Sequence, residues 1–301
     1  MGETRNIVRQ TFAHQETARI PRGELWLGPE VFARAGIADD LDGHLHLIER
    51  LGHDCLCLPF DRILSRHPAL GYRYFNAQEL GKAVNLKGPF VMAIVDGPWQ
   101  RLVDQQGLLP CLTAWQRDQA EVRAAYANEE KASLTLIREC LELSADAVII
   151  TEDLAHEHAP FFDVGESQAL FAPFYAQAIA HIHGRDAYAL FHSCGKIVPF
   201  IPYLVSSGFD GLAAIQHRAN DLIAIKEKYG EVLTIMAGIE GEMLVPGALS
   251  NAGKEEFIRL VQALHQDGGF ILCSGSGLYT GDFLARVQEL YHIADGITNQ
   301  L

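Results

Sequence analysis

The stretch AYALFHSCG, residues 187–195, is an apolar run that ends in a histidine, a cysteine and a glycine. The run predicts a buried β-strand, in which residues two positions apart face the same side. His192 and Cys194 would then project side by side, and imidazole and thiolate are two of the ligand types that zinc prefers. Gly195 allows the chain to turn sharply out of the strand. The stretch therefore predicts a strand end that can bind a metal, with ordinary core packing of both side chains as the alternative.

Short apolar runs of this kind recur along the whole chain, and most are separated by helical patterns. Together with the run that ends at His192, they give eight strand candidates, at residues 25–27, 55–59, 90–96, 147–151, 187–192, 211–216, 232–237 and 270–273. Near-continuous apolar strands joined by helices indicate a parallel sheet that is covered on both faces. Eight of them favour closure into a single (β/α)8 TIM barrel over an open doubly wound sheet. No Gly-x-Gly-x-x-Gly follows the first strand to indicate dinucleotide binding.

The segments between the strand candidates predict the helices. They are expected at residues 5–18, 40–51 and 115–143, in a segment that ends at residue 183, and at 282–293. Residues 62–76 have no regular pattern, and no repeat or long linker divides the chain. We therefore expect one α/β domain over residues 1–301, with an irregular N-terminal segment.

The composition restricts the partners that the chain can bind. A formal net charge of −14 argues against nucleic acid and anionic membranes as main partners. No apolar run reaches membrane-spanning length and residues 1–10 are polar, so we expect a cytoplasmic protein. Six cysteines scattered over 301 residues favour reduced thiols, some of them metal ligands, over a disulfide framework.

Polar side chains follow most of the predicted strands, at the ends where TIM barrels carry their chemistry. They include Asp96, Trp99, Glu152, Asp153, His156, His192, Cys194, Gln216, Cys273 and Ser276. Cys273 lies on the last strand, which closes the barrel a few positions round from the strand of His192. Its thiol could therefore join His192 and Cys194 as a third ligand. Two cysteines and one histidine with an open fourth position are typical of a catalytic zinc site.

Several short motifs occur in a particular order along nearly the whole chain. They are Ala18-Arg19-Ile20-Pro21, Gly97-Pro98-Trp99, the acidic pair that ends residues 145–153, His192-Ser193-Cys194-Gly195, and Ile215-Gln216 followed by Asn220-Asp221. In this order the chain resembles the uroporphyrinogen decarboxylase superfamily. Within it, the chain is most similar to the zinc-dependent methylcobamide:thiol methyltransferases of the coenzyme M type. The His-x-Cys motif is the most specific part of the resemblance.

The resemblance implies a uroporphyrinogen decarboxylase-like TIM barrel with Zn²⁺ at its mouth, held by His192, Cys194 and a cysteine on the last strand, here Cys273. It implies an enzyme that moves a methyl group between a corrinoid (cobalamin), free or protein-bound, and a thiol or related acceptor. The residues expected to act in catalysis are Glu152, Asp153 and Gln216, and those expected to contact the cofactor are Trp99, His156 and Ser276. The expected partners are a small-molecule methyl acceptor and a separate corrinoid protein, and assembly into a homo-oligomer is left open.

One departure from the family pattern concerns the third ligand. In the methyltransferases the last cysteine follows a glycine, whereas Ser276 occupies that slot here, three residues after Cys273. Either Cys273 takes over the role, or two strong ligands are completed by a carboxylate, an amide or water.

Decarboxylation of a tetrapyrrole or a smaller carboxylic acid is the alternative function. The true decarboxylases bind a polycarboxylate through an Arg-Gln-Ala-Gly-Arg segment, and the equivalent residues 28–36 contain one arginine, Arg34. The acidic balance of the chain also disfavours a polyanionic substrate. Methyl transfer is therefore the preferred prediction.

Overall fold

The computed structural model describes residues 3–298. Its parallel strands form one seven-stranded sheet in chain order. They are β1 (Cys55–Pro59), β2 (Phe90–Asp96), β3 (Ala147–Thr151), β4 (Tyr188–His192), β5 (Gly211–Ile215), β6 (Thr234–Ile239) and β7 (Phe270–Ser274). Apart from Tyr188, every strand residue is buried, as expected of a parallel sheet covered on both faces. The predicted TIM-barrel architecture is confirmed.

From β1 onwards helices alternate with the strands, and they pack against the outer face of the sheet. The first helix, Glu3–Phe12, instead packs its apolar side chains against the residues inside the barrel. The helices are α1 (Glu3–Phe12), α2 (Pro29–Ala35), α3 (Leu41–Leu51), α4 (Ala77–Val84), α5 (Pro98–Gln106), α6 (Leu108–Arg117), α7 (Gln119–Glu142), α8 (Val164–His183), α9 (Ile201–Ser207), α10 (Leu222–Tyr229), α11 (Gly241–Leu244), α12 (Asn251–His265) and α13 (Phe283–Thr298). Among residues 3–298, none of these helices has both the length and the apolar character needed to cross a membrane.

One helix of the prediction is two helices in the structure. The pattern over residues 115–143 predicts a single helix, but α6 ends at Arg117 and α7 begins at Gln119. Asp118 separates them, because its carboxylate accepts hydrogen bonds from the N–H groups of Ala120 (3.0 Å) and Glu121 (3.2 Å). An aspartate in this position satisfies the free N–H groups of a new helix.

The segment 21–28 closes the barrel between β7 and β1. The carbonyl of Pro21 accepts a hydrogen bond from the N–H of Leu272 at 2.8 Å. On the opposite side, the carbonyl of Arg22 accepts one from the N–H of Asp54, also at 2.8 Å. The segment therefore occupies the position that an eighth strand would have in a complete barrel.

The strand predicted at residues 25–27 is not regular, and the segment forms isolated bridges to β7 and to the residues after it. The backbone approaches β1 closely, since a side chain on Gly23 would meet the Cβ of Cys55 at 2.6 Å. Next to it, the carboxylate of Glu24 accepts the backbone N–H of Ser274 at 3.2 Å. A side chain thus takes the acceptor role that a backbone carbonyl has in a regular ladder.

The inside of the barrel is filled by apolar and sulfur-containing side chains. They include Cys55, Cys57, Met92, Ile94, Ile149, Leu190, Ala213, Met236, Ile271 and Cys273. The interior is therefore a packed core, as in other TIM barrels. Polar groups at the carboxyl ends of the strands lie above this core.

Candidate metal centre

The ends of three neighbouring strands bring a row of polar side chains together. Asp96 of β2 pairs with Thr151 of β3, and Thr151 pairs with His192 of β4. All three residues are buried. After His192 the chain leaves the strand and places Cys194 beside the row, at the mouth of the barrel.

His192 is held in one orientation by a backbone hydrogen bond. Its Nδ1 donates to the carbonyl of Ala213 at 2.8 Å, because a carbonyl oxygen can only accept. Nε2 therefore keeps its lone pair for a ligand. Ala213 lies at an irregularity of β5, where Ala214 has a φ of 53° and the pairing with β6 shifts. Burial lowers the pKa of His192, which favours the neutral imidazole that binds metals.

Asp153, His192 and Cys194 present three ligand atoms that all lie within 4.8 Å of one another. Nε2 of His192 is 3.9 Å from Sγ of Cys194 and 4.0 Å from Oδ1 of Asp153. Zinc bonds of about 2.0–2.3 Å in a tetrahedron place two ligands about 3.3–3.8 Å apart. Small side-chain movements would bring the atoms to those distances, so the residues fit a zinc ion. Three protein ligands leave a fourth position free, as in catalytic zinc sites.

The loop after β4 is fixed by bonds to the ends of neighbouring strands. The N–H of Cys194 donates to Oδ1 of Asp153 at 2.7 Å. The next N–H, of Gly195, donates to Oε1 of Gln216 at 3.0 Å. Gly195 has a φ of 77°, and a Cβ there would meet the carbonyl oxygen of Ala155 at 2.5 Å. Only glycine fits this turn, which sets the position of the thiol.

The surroundings of Cys194 oppose its ionisation in the absence of a cation. Burial raises the pKa of the thiol, and the neighbouring carboxylate of Asp153 raises it further. A metal ion is the kind of charge that would reverse both effects and hold the group as a thiolate.

A cavity of about 210 Å³ opens at the mouth of the barrel beside these three residues; we call it the mouth cavity. Its lining consists of Trp26, His67, Leu70, Tyr72, Asp96, Gln100, Thr151, Asp153, His192, Cys194, Gln216, Gly275, Ser276 and Tyr279. A larger, more open cleft of about 520 Å³ adjoins it and shares Gln216, Ser276 and Tyr279 with it. A small ligand would therefore lie next to the three candidate metal ligands and be reached from the cleft.

Of the residues predicted to act in catalysis, Asp153 and Gln216 line the mouth cavity. Glu152 is fully buried, and its Oε2 accepts the N–H of Gln100 at 3.0 Å at the beginning of α5. Burial raises the pKa of Glu152 well above its ordinary value. Its position is that of a carboxylate that anchors a helix N-terminus.

The residues predicted to contact the cofactor are spread more widely. Ser276 lines the mouth cavity and the adjoining cleft. Trp99 is fully buried, donates from Nε1 to the carbonyl of Asp153 at 3.1 Å and packs edge-on against Phe162. His156 is exposed in the loop after β3 and lies outside the cavity lining.

Cys273 lies inside the barrel, apart from the three clustered ligand atoms. Its Sγ is 3.0 Å from the carbonyl of Ser274 and 3.9 Å from Oε2 of Glu24. Burial raises the pKa of its thiol well above the ordinary value. The third ligand atom beside His192 and Cys194 is a carboxylate oxygen of Asp153.

Several residues of the mouth cavity are absent from the predicted site. Trp26 comes from the segment that closes the barrel, and its ring meets the His192 ring edge-on at 4.7 Å between centroids. His67 and Tyr72 come from residues 62–76, which have no regular pattern. The several aromatic residues in this segment are the feature of the sequence that could have indicated a contribution to the cavity. Tyr279 follows the last strand, and burial near Cys194 raises its pKa.

Comparison with known proteins places this fold among TIM-barrel enzymes. No protein-family model and no curated protein matches the sequence. The structure is similar to a methyltransferase from Methanosarcina mazei, with a TM-score of 0.73 and 14% identity over 98% of this chain and 99% of that one. It is also similar to a B12-independent methionine synthase from a Shewanella species, with a TM-score of 0.59 and 12% identity over 94% and 97% of the two chains.

A sugar phosphate isomerase/epimerase from Parabacteroides distasonis is similar at a TM-score of 0.51, with 11% identity over 91% and 95% of the two chains. The names of these three proteins cover different reactions. At such identities the similarity establishes the fold alone, and the chain has the TIM-barrel fold that they share.

Proposed function

We propose that this protein is a zinc-dependent methyltransferase that moves a methyl group between a corrinoid and a small thiol. The observation that carries the proposal is the group of Asp153, His192 and Cys194, whose ligand atoms lie within 4.8 Å of one another at the barrel mouth. His192 presents Nε2 to this point because Nδ1 is engaged by Ala213. The similarity to a methyltransferase and to a methionine synthase supports the same class of reaction.

Bound zinc would lower the pKa of a substrate thiol and keep it as a nucleophilic thiolate at neutral pH. The residues of the chain supply the setting for this chemistry. Asp153, His192 and Cys194 would hold the ion. The hydrogen bond to Ala213 fixes the ring of His192, and the hydrogen bond to Gln216 fixes the turn that follows Cys194. Half of the residues that line the mouth cavity are buried, which limits the access of water to a thiolate there and strengthens the electrostatic interactions around it.

The size of the mouth cavity indicates which of the two substrates binds inside it. Its volume of about 210 Å³ corresponds to roughly seven water molecules, which suits a small thiol and not a corrinoid ring. The corrinoid would therefore present its methyl group from the side of the adjoining cleft. We propose that it is carried there by a separate corrinoid protein.

The decarboxylase alternative has less support. The mouth cavity is lined by two aspartates, and its lining includes no arginine or lysine among the described residues. Arg218 lies in the adjoining cleft, where it is paired with Glu242. A polycarboxylate would bring further negative charge to this site without cations to bind it.

The proposal is tested by mixing the zinc-loaded protein with methylcobalamin and 2-mercaptoethanol and following loss of the methylcobalamin absorbance. We expect methyl transfer that stops when a chelator removes zinc and returns when zinc is added. Cys194→Ser should lower the rate by more than about 100-fold. Cys111→Ser is the matched control, because this thiol is buried in α6 and donates to the carbonyl of Leu102. An unchanged rate without zinc, or in Cys194→Ser, would overturn the proposal.

A further inference from the structure

We infer that the methyl acceptor is a small thiol that carries an ammonium group, bound between Asp96 and the aromatic side chains of the mouth cavity. The inference rests on the proposed function, because it takes the thiol to lie beside Asp153, His192 and Cys194. The inference specifies the charge at the end of the acceptor opposite its thiol, which the metal centre does not determine.

Asp96 is a buried carboxylate whose side-chain hydrogen-bond donors, among residues 3–298, are two neutral hydroxyls. The imidazole of His67 is near enough for its charge to lower the pKa of Asp96, and it also lies 3.8 Å from Asp104. Its exposed fraction is 7%, and it lines the mouth cavity. Oδ2 accepts a hydrogen bond from the hydroxyl of Tyr74 at 2.7 Å, and Oδ1 accepts one from Thr151 at 2.8 Å. Within residues 3–298, no lysine or arginine forms an ion pair with it. The nearest arginine along the chain, Arg101, pairs with Asp61 and Glu129 instead.

A carboxylate in this environment favours a positively charged ligand. Both oxygens of Asp96 have a further lone pair after accepting one hydrogen bond each. Burial raises the pKa of Asp96, while the two hydrogen bonds that it accepts oppose the rise. An ammonium group in the cavity would stabilise the charged form and satisfy the remaining lone pairs.

Aromatic rings form the wall next to this carboxylate. Tyr72 lies between Trp26 and His67, with ring centroids 6.1 and 4.8 Å away, respectively. The hydroxyl of Tyr72 is 3.4 Å from that of Tyr74, which in turn donates to Asp96. The faces of tryptophan and tyrosine attract cations, and more strongly where water is excluded. The ring system and the carboxylate therefore select the same sign of charge.

The ladder of the sheet sets the length of the ligand. Asp96, Thr151 and His192 lie on three adjacent strands in direct register, so their backbones span two strand spacings, or about 10 Å. The carboxylate of Asp96 reaches toward β3, where it accepts the hydroxyl of Thr151 at 2.8 Å, and this shortens the distance that the ligand has to span. A thiol near His192 and an ammonium near Asp96 are then joined by a chain of about two to four carbon atoms, which agrees with the cavity volume of about 210 Å³.

Three two-carbon thiols that differ in the charge of one group provide the test. They are cysteamine (positive), 2-mercaptoethanol (neutral) and 2-mercaptoethanesulfonate (negative), and their binding to the zinc-loaded protein is measured by calorimetry without a methyl donor. We expect cysteamine to bind about ten- to hundredfold more tightly than the sulfonate. Equal affinities, tighter binding of the sulfonate, or no binding of any of the three would overturn the inference.

Variants of the cavity separate the charge of the ligand from the acidity of its thiol. Asp96→Asn should remove most of the preference for cysteamine over 2-mercaptoethanol. The substitution in the protein leaves the acidity of each thiol unchanged, so a change in the ratio of the two affinities reports the charge of the ligand. If Asp96→Asn does not fold, Tyr72→Leu and its control Tyr72→Phe compare the loss and the retention of the ring. A preference that survives both Asp96→Asn and Tyr72→Leu would contradict the inference. Because binding is read without methyl transfer, the proposed function can fail in its own assay while this preference stands.

Discussion

Replacement of Gly195 by alanine tests how tightly the turn after β4 holds Cys194 in place. Gly195 has a φ of 77°, and a Cβ there would meet the carbonyl oxygens of Ala155 and His156 at 2.5 and 2.6 Å. The left-handed conformation costs an L-residue about 1–2 kcal/mol. The clash with backbone atoms, which cannot rotate away as a side chain can, adds about 1–3 kcal/mol. We therefore expect Gly195→Ala to lower the free energy of unfolding by about 2–5 kcal/mol.

Gly36→Ala is the matched control for this substitution. Gly36 has a φ of 69° at the end of α2, and a Cβ there would meet no atom within 4 Å. It should carry the conformational cost alone, so that the difference between the two variants measures the clash. Urea unfolding followed by circular dichroism gives both free energies, and competition with a chelating dye gives the zinc affinity. Gly195→Ala should also weaken zinc binding, and Gly36→Ala should not. Equal free energies of unfolding for the two variants would refute the reasoning.

Two further substitutions test the polar groups that are buried around the barrel. Burial raises the pKa of Glu24 from 4.5 to about 7. Between pH 4.5 and pH 7 the native state therefore binds more protons than the unfolded state. The contribution of the protonated Glu24 to the free energy of unfolding is fully present below pH 4.5 and is lost as the pH rises through 7. Glu24→Gln should reduce the change in the free energy of unfolding between pH 4.5 and pH 7 by up to about 3 kcal/mol. If the free energy of unfolding depends on pH in the same way in the variant and the wild type, Glu24 does not titrate in this range. Asn220 is buried and bonds to the carbonyl of Gly195 at 2.9 Å and the N–H of Ile197 at 2.9 Å. Asn220→Ala leaves these groups unpaired and should cost about 2–4 kcal/mol in thermal or urea unfolding, and a cost below 1 kcal/mol would indicate that water replaces the amide.

The strands could be predicted because burial on both faces leaves a simple signal. Runs such as residues 147–151 are continuously apolar, and the structure has β3 at these residues. The segment around Leu25 carries a short run as well, but its pairing depends on contacts that are distant in sequence. Gly23 approaches Cys55 closely, and Glu24 takes a backbone N–H from β7. Periodicity contains no record of such contacts, so a regular eighth strand was expected where the structure has an irregular one.

The break between α6 and α7 had a local signal that periodicity alone overlooks. Asp118 precedes Glu121 by three residues, which is a pattern typical of a helix beginning. The apolar stripe continues across this point and predicts one helix over residues 115–143. Capping residues therefore decide the boundary here.

Proximity in sequence explains which part of the candidate site could be predicted. His192 and Cys194 are two residues apart, so their backbones are necessarily close, although Cys194 lies in the turn after β4 and not on the strand as predicted. Asp153 follows β3 and Cys273 lies on β7, so their positions relative to His192 depend on how these strands are staggered around the barrel. The stagger places Cys273 in the interior beside Glu24 and places Asp153 at the mouth. The aromatic lining depends in the same way on residues 62–76, whose path has no periodic signal.

Zinc content, measured by plasma mass spectrometry on the purified wild type and three single variants, addresses the proposed metal centre itself. We expect one zinc per chain in the wild type, and loss of the metal in Cys194→Ser and Asp153→Asn. Cys273→Ser should retain zinc, because the Cys273 thiol lies inside the barrel and apart from the three ligand atoms. A wild type that takes up no zinc, or loss of zinc in Cys273→Ser with retention in Asp153→Asn, would contradict the assignment.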